Sequence, residues 1–269
     1  MSDFIAALPM YDWPEMRDEV DAQWARLRTA FRQLGIDAPE TLARRNAELP
    51  PVPGGIRNAG GETIAPDPAT LSPEELDLPT LWRHPKLLFG QTCWGPMEIT
   101  GLDAAVRVIG QPNYDGIEGG RGELYSSAIV VQRGSVTADH AHAPDGDVPL
   151  IPLDLIRDKR FAFNSHDSMS GFIGISRDLA GLGEGLRIFS DRIESGGHRN
   201  SIVAVAEGRA DVAAIDCQSW ALAQRFEPAA RDVMVLGWTA KRKGLPFITS
   251  RSTPEGVAVL LGQIAAARG

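Results

Sequence analysis

Residues 160–238 alternate regularly between strand patterns and helix patterns, and this alternation constrains the fold more than any other feature. Short apolar runs such as RFAF and DVAAIDC are each followed by roughly ten residues with helical spacing of apolar side chains. Strands that alternate with helices in this way form parallel βαβ units with right-handed crossovers. The sequence therefore predicts an α/β fold.

The beginning of the chain shows the same kinds of pattern. A strand is predicted in FIAALPMY, and an amphipathic helix follows it. Its apolar stripe is Met16, Val20, Trp24, Leu27, Phe31 and Leu34, and Gly35 is predicted to end the helix. Further strands are predicted in KLLFG, AAVRVIG and LYSSAIVVQRG. Because α/β patterns lie on both sides of the long strand at 124–133, the sequence indicates two α/β lobes.

Composition and charge narrow the range of partners. The 269 residues carry a net charge of −8, so no basic surface is expected and nucleic acid is not a predicted partner. The longest apolar runs are of strand length, far below the roughly 20 residues of a membrane span, so no direct membrane insertion is expected. The opening MSDFIAALPMYDWPEM lacks the pattern of a leader, which predicts a cytoplasmic chain, or a periplasmic one if a leader preceded it.

Several features suggest chemistry but have simpler interpretations. Cys93 and Cys217 have no metal-ligand spacing and are predicted to be free, buried thiols. The segment HAHAPDGD, within the polar loop 134–149, is interpreted as solvated rather than metal-binding. No nucleophile elbow, phosphate-binding loop, dinucleotide fingerprint or metalloprotease motif occurs in the sequence. We therefore predict no catalytic residue, no metal and no cofactor.

Polar residues follow three predicted strands, in NSHDSMSG, SGGHRNS and AIDCQSW. Ser168 is predicted to cap a helix, with Ser170 and Gly171 in its first turn. In open α/β sheets, ligands bind outside the carboxyl ends of strands, where helix N-termini present free N–H groups. These segments therefore predict a binding site for a small anion, held by uncharged donors and the helix dipole.

Four segments resemble successive motifs of the phosphonate-type substrate-binding proteins of ABC transporters: YSSAIVVQRG, FAFNSHDSMSG, ESGGHRNSIVAVAEGRADVAAIDCQSW and KGLPFITS. The resemblance covers about residues 85–250. It implies a type II periplasmic-binding fold, in which two crossing strands join two lobes that close on a ligand in the cleft between them. It also implies lobe one at residues 1–132 and 238–269, and lobe two at 133–237.

The resemblance also implies a set of ligand-binding residues. In the second lobe and its first crossing these are Tyr125, Ser126, Ser127, Ser168, Met169, Ser170, His198 and Asp216, and in the first lobe they are Tyr11, Thr92 and Trp94. The family usually has a hydroxyl residue where Met169 stands, so this chain lacks one side-chain donor. A protonated His198 would donate to the anion, and Asp216 would accept from a protonated ligand oxygen or a ligand amine.

The function predicted from these features is non-enzymatic binding of a small phosphonate-like or phosphate-like oxyanion. The chain would be the solute-binding component of an ABC-type uptake system, with the ligand and an ABC permease as its partners. Two alternatives stay open. One is a cytoplasmic biosynthetic enzyme on the same fold, of the menaquinone or thiamine-precursor type, with His198 and Asp216 as its acid–base pair. The other is a ligand sensor that contacts another protein.

Overall fold

A computed structural model describes residues 2–268, which fold into helices and sheets of an α/β protein. The chain divides into two compact units, the first running up to Pro112 and resuming at Leu245, and the second spanning Asn113–Gly244. Among residues 2–268, none of the helices has the length and hydropathy that a membrane crossing requires.

The first unit contains a four-stranded sheet in the order β1-β4-β14-β5, numbered along the chain. Its strands are β1 (Ile5–Ala7), β4 (Leu87–Gln91), β5 (Val106–Gly110) and β14 (Phe247–Ser250). The strands β1 and β4 are parallel, whereas β14 is antiparallel to both of its neighbours. The other elements are α1 (Arg17–Gln33), β2 (Ile56–Arg57), β3 (Thr63–Ala65), α2 (Leu78–Arg83), α3 (Trp94–Ile99) and α8 (Glu255–Arg268).

The predicted amphipathic helix is confirmed as α1, with Val20, Trp24, Leu27 and Phe31 buried. The rings of Trp24 and Phe31 pack with Phe89 of β4 at centroid distances of 6.1 and 5.6 Å. The helix ends at Gln33, before Gly35, which has a left-handed φ of 76°. Leu34 therefore lies beyond the regular helix and is 51% exposed, so its place in the predicted apolar stripe was wrong.

His84 is buried in the turn between α2 and β4. Its Nδ1 accepts a hydrogen bond from the Lys86 amide at 3.1 Å, so the ring proton lies on Nε2, which donates to the Pro50 carbonyl at 2.9 Å. Burial lowers the pKa of His84, and the Pro50 carbonyl only partly opposes this effect. The folded chain therefore holds this imidazole in its neutral form.

We expect the free energy of unfolding to decrease as the pH falls below about 6.5, where histidines of the unfolded chain take up protons. The sign follows from the lowered pKa of His84, because the unfolded chain then binds more protons than the folded chain. Urea unfolding at about pH 8 and about pH 5.5 measures the effect, with His84→Gln as a non-titrating variant that keeps a donor for Pro50. An equal loss of stability in both proteins would contradict this prediction.

The second unit is built on a five-stranded sheet in the order β10-β9-β11-β8-β12. Its strands are β8 (Ser127–Gln132), β9 (Arg160–Phe163), β10 (Asp191–Glu194), β11 (Val212–Asp216) and β12 (Val233–Trp238). The strands β9, β10 and β11 are parallel, and β8 runs antiparallel to β11 and β12. The helices are α4 (Leu153–Ile156), α5 (Gly174–Gly181), α6 (His198–Ala206) and α7 (Cys217–Phe226). A small sheet adds β6 (Gly120–Arg121), β7 (Leu124–Tyr125) and β13 (Arg242–Lys243).

The long strand predicted at 124–133 is divided in two at Ser126. Both the amide and the hydroxyl of Ser126 donate to the Gly119 carbonyl at 2.9 Å, instead of extending a strand ladder. The compact units meet at 112/113 and 244/245, whereas the predicted lobes meet at 132/133 and 237/238. The second unit is longer than predicted lobe two because β8 and β12 both belong to its sheet. That the units act as lobes closing on a ligand stays a prediction.

Candidate functional site

Three helices of the second unit begin at the carboxyl edge of its parallel strands. The chain leaves β9 at Phe163 and enters a helix after Ser168, and α6 begins at His198 after β10. The strand β11 ends at Asp216, which is the N-cap of α7. Parallel strands bring these polar segments to one edge, as the sequence indicated.

Ser168 is the N-cap that the sequence predicted. Its Oγ accepts a hydrogen bond from the Gly171 amide at 3.0 Å. The first turn, Met169–Ile173, is a π-helix, and the Ser168 carbonyl accepts from the Ile173 amide at 2.9 Å. A Cβ atom on Gly171 would lie 2.0 Å from Asn164 Oδ1, so a larger residue here would require the Asn164 side chain to move. The helix start is thus packed directly against the end of β9.

Ser170, His198 and Asp216 form a buried polar cluster. Ser170 Oγ lies 2.8 Å from His198 Nε2, and Asp216 Oδ2 lies 3.2 Å from the same nitrogen. Ser168 Oγ is a further 3.4 Å from Ser170 Oγ, and Asp216 Oδ1 also accepts from the Ser219 amide at 2.9 Å. The structure therefore brings together four of the predicted site residues from three separate segments of the sequence.

The charge state of His198 decides what this cluster offers to a ligand. Burial lowers the pKa of His198, and the neighbouring Asp216 carboxylate opposes that shift without reversing it. We assign the ring proton of the neutral imidazole to Nε2, because the Asp216 carboxylate 3.2 Å from this nitrogen can only accept. Nε2–H can then serve both neighbouring oxygens, which leaves the Ser170 hydroxyl proton available to a ligand oxygen.

The cluster contains the residue types of a serine hydrolase but not its geometry. In a catalytic triad, the serine and the carboxylate contact opposite nitrogens of the histidine. Here Ser170 and Asp216 both contact Nε2. In a triad, the carboxylate holds one ring nitrogen so that the other nitrogen can take the serine proton. That division of roles is missing here, because Asp216 and Ser170 share one nitrogen. This arrangement binds an acceptor better than it activates a nucleophile.

The neighbouring serines position the site more than they present donors to it. Ser127 Oγ donates to the Ser170 carbonyl at 3.0 Å, and the Ser127 amide donates to Thr239 Oγ1 at 2.8 Å. The hydroxyl proton of Ser126 is donated to Gly119. Both serines were predicted to bind the ligand, and this stays a prediction; in this conformation their hydroxyl protons are donated to the Gly119 and Ser170 carbonyls. Ser127 instead ties the start of the helix to β8.

The remaining predicted residues of the second unit are packed inside it. Tyr125 is 1% exposed and stacks on Tyr114 with a centroid distance of 5.4 Å. Met169 is buried, and its Sδ lies 3.9 Å from Arg177 Nη1. Cys217, like Cys93 of the first unit, is buried and forms no disulfide bond within residues 2–268, as predicted.

The first unit holds the other three predicted residues. Thr92 is fully buried, and its Oγ1 has no hydrogen-bond partner within residues 2–268, although its amide donates to the Pro246 carbonyl at 3.1 Å. Trp94 is the first residue of α3 and packs partly against the core of this unit. Tyr11 is half-buried in the loop that follows β1. Their contact with a ligand stays a prediction.

Sequence reasoning missed two residues that support the cluster. The side-chain amide of Asn164 lies 3.5 Å from His198 Nε2 and can turn its oxygen towards the Nε2 proton, and Thr239 Oγ1 accepts from the Ser127 amide. Asn164 directly follows the buried strand β9, which was a usable signal, because polar residues at such strand ends were already the basis of the prediction. Thr239 follows β12, and only the pairing of that strand with β8 shows its role.

An ion pair in the second unit anchors α5, the helix that continues from the π turn. Arg242 Nη2 lies 2.6 Å from Asp178 Oδ1, and Asp178 Oδ2 accepts from the Ala240 amide at 2.8 Å. The side chains of Arg242 and Asp178 are only 19% and 7% exposed. The pair therefore holds the helix that begins at Met169 against the segment following β12.

The fold defines the class of protein. Solved structures that share it include PhnD1 from Prochlorococcus marinus in complex with methylphosphonate, at a TM-score of 0.59 and 16% identity over 98% of this chain and 84% of that one. XAC2383 from Xanthomonas citri bound to chloride ion has a TM-score of 0.59 and 14% identity over 98% and 83%. A third structure is PA3383, a binding protein component of an ABC phosphonate transporter from Pseudomonas aeruginosa. It has a TM-score of 0.56 and 14% sequence identity, over 97% of this chain and 72% of that one. The chain thus has the type II periplasmic-binding fold, as predicted.

The family follows from the sequence itself. A family model described as "ABC transporter, phosphonate, periplasmic substrate-binding protein" matches residues 98–264, which is more than half of the chain. The chain therefore belongs to the family of phosphonate substrate-binding proteins of ABC transporters, and the resemblance stated above is confirmed. A comparison of this sequence with curated proteins found no significant match.

Proposed function

We propose that this chain binds a phosphonate-like or phosphate-like oxyanion at the polar cluster of Ser168, Ser170, His198 and Asp216. The observation that carries the proposal is the buried Ser170 hydroxyl at the start of a helix, 2.8 Å from an imidazole at the start of a second helix. Two helix N-termini and a hydroxyl donor stabilise negative charge without a lysine or an arginine.

The acceptors in the cluster favour a ligand that also carries a donor. Asp216 is 3% exposed and shares the His198 nitrogen with Ser170, so an anion at Ser170 lies close to a carboxylate. A fully deprotonated anion such as sulfate would be repelled there. A hydrogen phosphonate or hydrogen phosphate can instead donate its proton to Asp216, and an aminoalkyl phosphonate can donate through its ammonium group.

Binding without turnover fits the geometry better than catalysis. The alternative of a biosynthetic enzyme relied on His198 and Asp216 as an acid–base pair, but Ser170 and Asp216 contact the same ring nitrogen. The family assignment likewise describes a substrate-binding protein. Within this proposal, the chain delivers its unchanged ligand to an ABC permease, and it does so in the periplasm, where the family is described to act.

Thermal unfolding with added anions tests the proposal. We expect methylphosphonate, 2-aminoethylphosphonate or phosphate to raise the melting temperature, and a ligand at a hundredfold excess over Kd to add about 2.7 kcal/mol to the free energy of unfolding. Sulfate at the same ionic strength is the matched control and should stabilise less. A rise with neutral aromatic metabolites alone would contradict the oxyanion site. Phosphorus NMR after long incubation should recover the ligand unchanged, and steady formation of a product would instead indicate an enzyme.

A further inference from the structure

Glu118, His140 and His142 lie together on the surface of the second unit, outside the cluster described above. One ligand atom from each, an imidazole nitrogen or a carboxylate oxygen, lies within 4.8 Å of the other two. The His140 and His142 rings stand edge to face with centroids 5.3 Å apart. The side chains of His142 and Glu118 are 83% and 42% exposed, so an ion can reach them from solvent.

The histidine pair lies on a segment that is hydrogen-bonded to the sheet. Ala141, between the two histidines, donates through its amide to the Val235 carbonyl at 2.9 Å, and its carbonyl accepts from Trp238 Nε1 at 2.9 Å. Lys241 Nζ donates to the Gly146 carbonyl at 3.0 Å further along the same segment. The interpretation of HAHAPDGD as a loop in solvent was therefore incomplete, because β12 holds the backbone between the two imidazoles.

The Glu118 carboxylate is oriented by the same segment. Its Oε1 lies 2.9 Å from His142 Nδ1 and accepts from the Ala143 amide at 3.2 Å. Glu118 itself lies in a turn in which the Gly120 amide donates to the Ile117 carbonyl at 2.8 Å. The next residue, Gly119, accepts both hydrogen bonds of Ser126. Backbone contacts thus hold all three side chains within reach of one another.

We propose that Glu118, His140 and His142 bind a divalent transition metal ion such as Zn²⁺. Two imidazole nitrogens and one carboxylate oxygen are a ligand set that suits zinc, with a fourth position open to water. Around a tetrahedral zinc ion, neighbouring N and O ligands stand about 3.4 Å apart. The observed separations, from 2.9 Å for the Glu118–His142 pair up to at most 4.8 Å, reach that value by small side-chain rotations.

An ordinary ion pair between Glu118 and His142 would not account for the second imidazole. The Glu118–His142 ion pair involves only one histidine. His140 nevertheless lies beside His142, because both flank the hydrogen-bonded Ala141. A bound metal would tie the segment around Ala141 to the turn that contains Glu118. The Gly119 carbonyl in that turn accepts a hydrogen bond from Ser126, which directly precedes β8. A bound metal would therefore also restrict the motion of the backbone leading into β8.

Isothermal titration of the tag-free protein with ZnCl₂ tests the site. We expect wild type to bind Zn²⁺ at one ion per chain, and His140→Ala, His142→Ala and Glu118→Gln each to weaken this binding by at least about tenfold. The double variant His140→Ala/His142→Ala should lose the one-to-one isotherm. Because the three side chains are exposed, circular dichroism should show the variants folded.

His166→Ala is the matched control, because His166 is also exposed and lies 3.9 Å from Glu194, yet it belongs to no three-residue cluster of metal ligands among residues 2–268. This control should bind Zn²⁺ as wild type does. The proposal is overturned if wild type shows no one-to-one Zn²⁺ binding. It is equally overturned if the double variant retains wild-type affinity, or if His166→Ala abolishes binding while the double variant does not.

Discussion

Replacing Ser170 with aspartate should abolish anion binding while leaving the second unit folded. The substitution removes the Ser170 hydroxyl, which costs about 1.5 to 3 kcal/mol when the partner is charged. It also places a negative charge a few ångströms from the ligand, which costs about 4 kcal/mol at an effective dielectric constant near 20. Together these effects predict a loss of at least about a thousandfold in affinity for methylphosphonate or phosphate. Isothermal titration measures it.

The fold should tolerate this change because Ser170 lies in the first turn of a helix, where a carboxylate is favoured by the dipole. The neighbouring His198 Nε2–H, whose nitrogen lies 2.8 Å from Ser170 Oγ, can also donate a hydrogen bond to the new carboxylate. Ser190→Asp is the matched control, because it adds the same charge to an exposed position of the same unit. If Ser170→Asp keeps an affinity within about threefold of wild type, a difference below about 0.7 kcal/mol, Ser170 belongs only to the first helical turn and not to an anion site.

Replacing Arg242 with methionine should destabilise the chain by about 3 to 5 kcal/mol, because it leaves a buried carboxylate without its cation. Asp178 is 7% exposed, and its Oδ1 lies 2.6 Å from Arg242 Nη2. Methionine preserves most of the apolar stem, so the measured loss reports the unpaired charge rather than a cavity. Chemical denaturation followed by circular dichroism measures the difference.

Two further variants separate the buried charge from a general effect of the substitution. Arg209→Met removes the partner of Glu207 from an exposed pair, with side chains 58% and 57% accessible, and should cost less than about 1 kcal/mol. The double variant Arg242→Met/Asp178→Asn removes the charge yet keeps an acceptor for the Ala240 amide. It should recover a large part of the lost stability. If it is as unstable as Arg242→Met alone, the unpaired charge is not the cause.

The elements and the helix cap could be predicted because local side chains determine them. The stripe of Val20, Trp24, Leu27 and Phe31 has helical spacing, and these residues are buried as that spacing requires. Ser168 caps its helix through a contact with Gly171, three residues along the chain. The motif series around these elements also predicted the family, which the match over residues 98–264 confirms.

Other features could not be predicted because they depend on contacts between distant segments. Ser126 interrupts the predicted long strand because Gly119 accepts both of its hydrogen bonds. No local pattern shows that Ser170 and Asp216 meet at one nitrogen of His198, which argues against a catalytic triad. That geometry arises from the order of strands in the sheet.

The sequence by itself determined the α/β fold class, the family and the polar strand ends at which a ligand is expected, since each rests on periodicity, capping or motif spacing along the chain. Only the tertiary structure decided which side chains share a site. Glu118 joins His140 and His142 because β12 anchors Ala141 between the two histidines. Arg242 pairs with Asp178 because strand and helix packing bring residues 64 positions apart into contact. Such contacts depend on the distances that folding creates, which spacing along the chain does not encode.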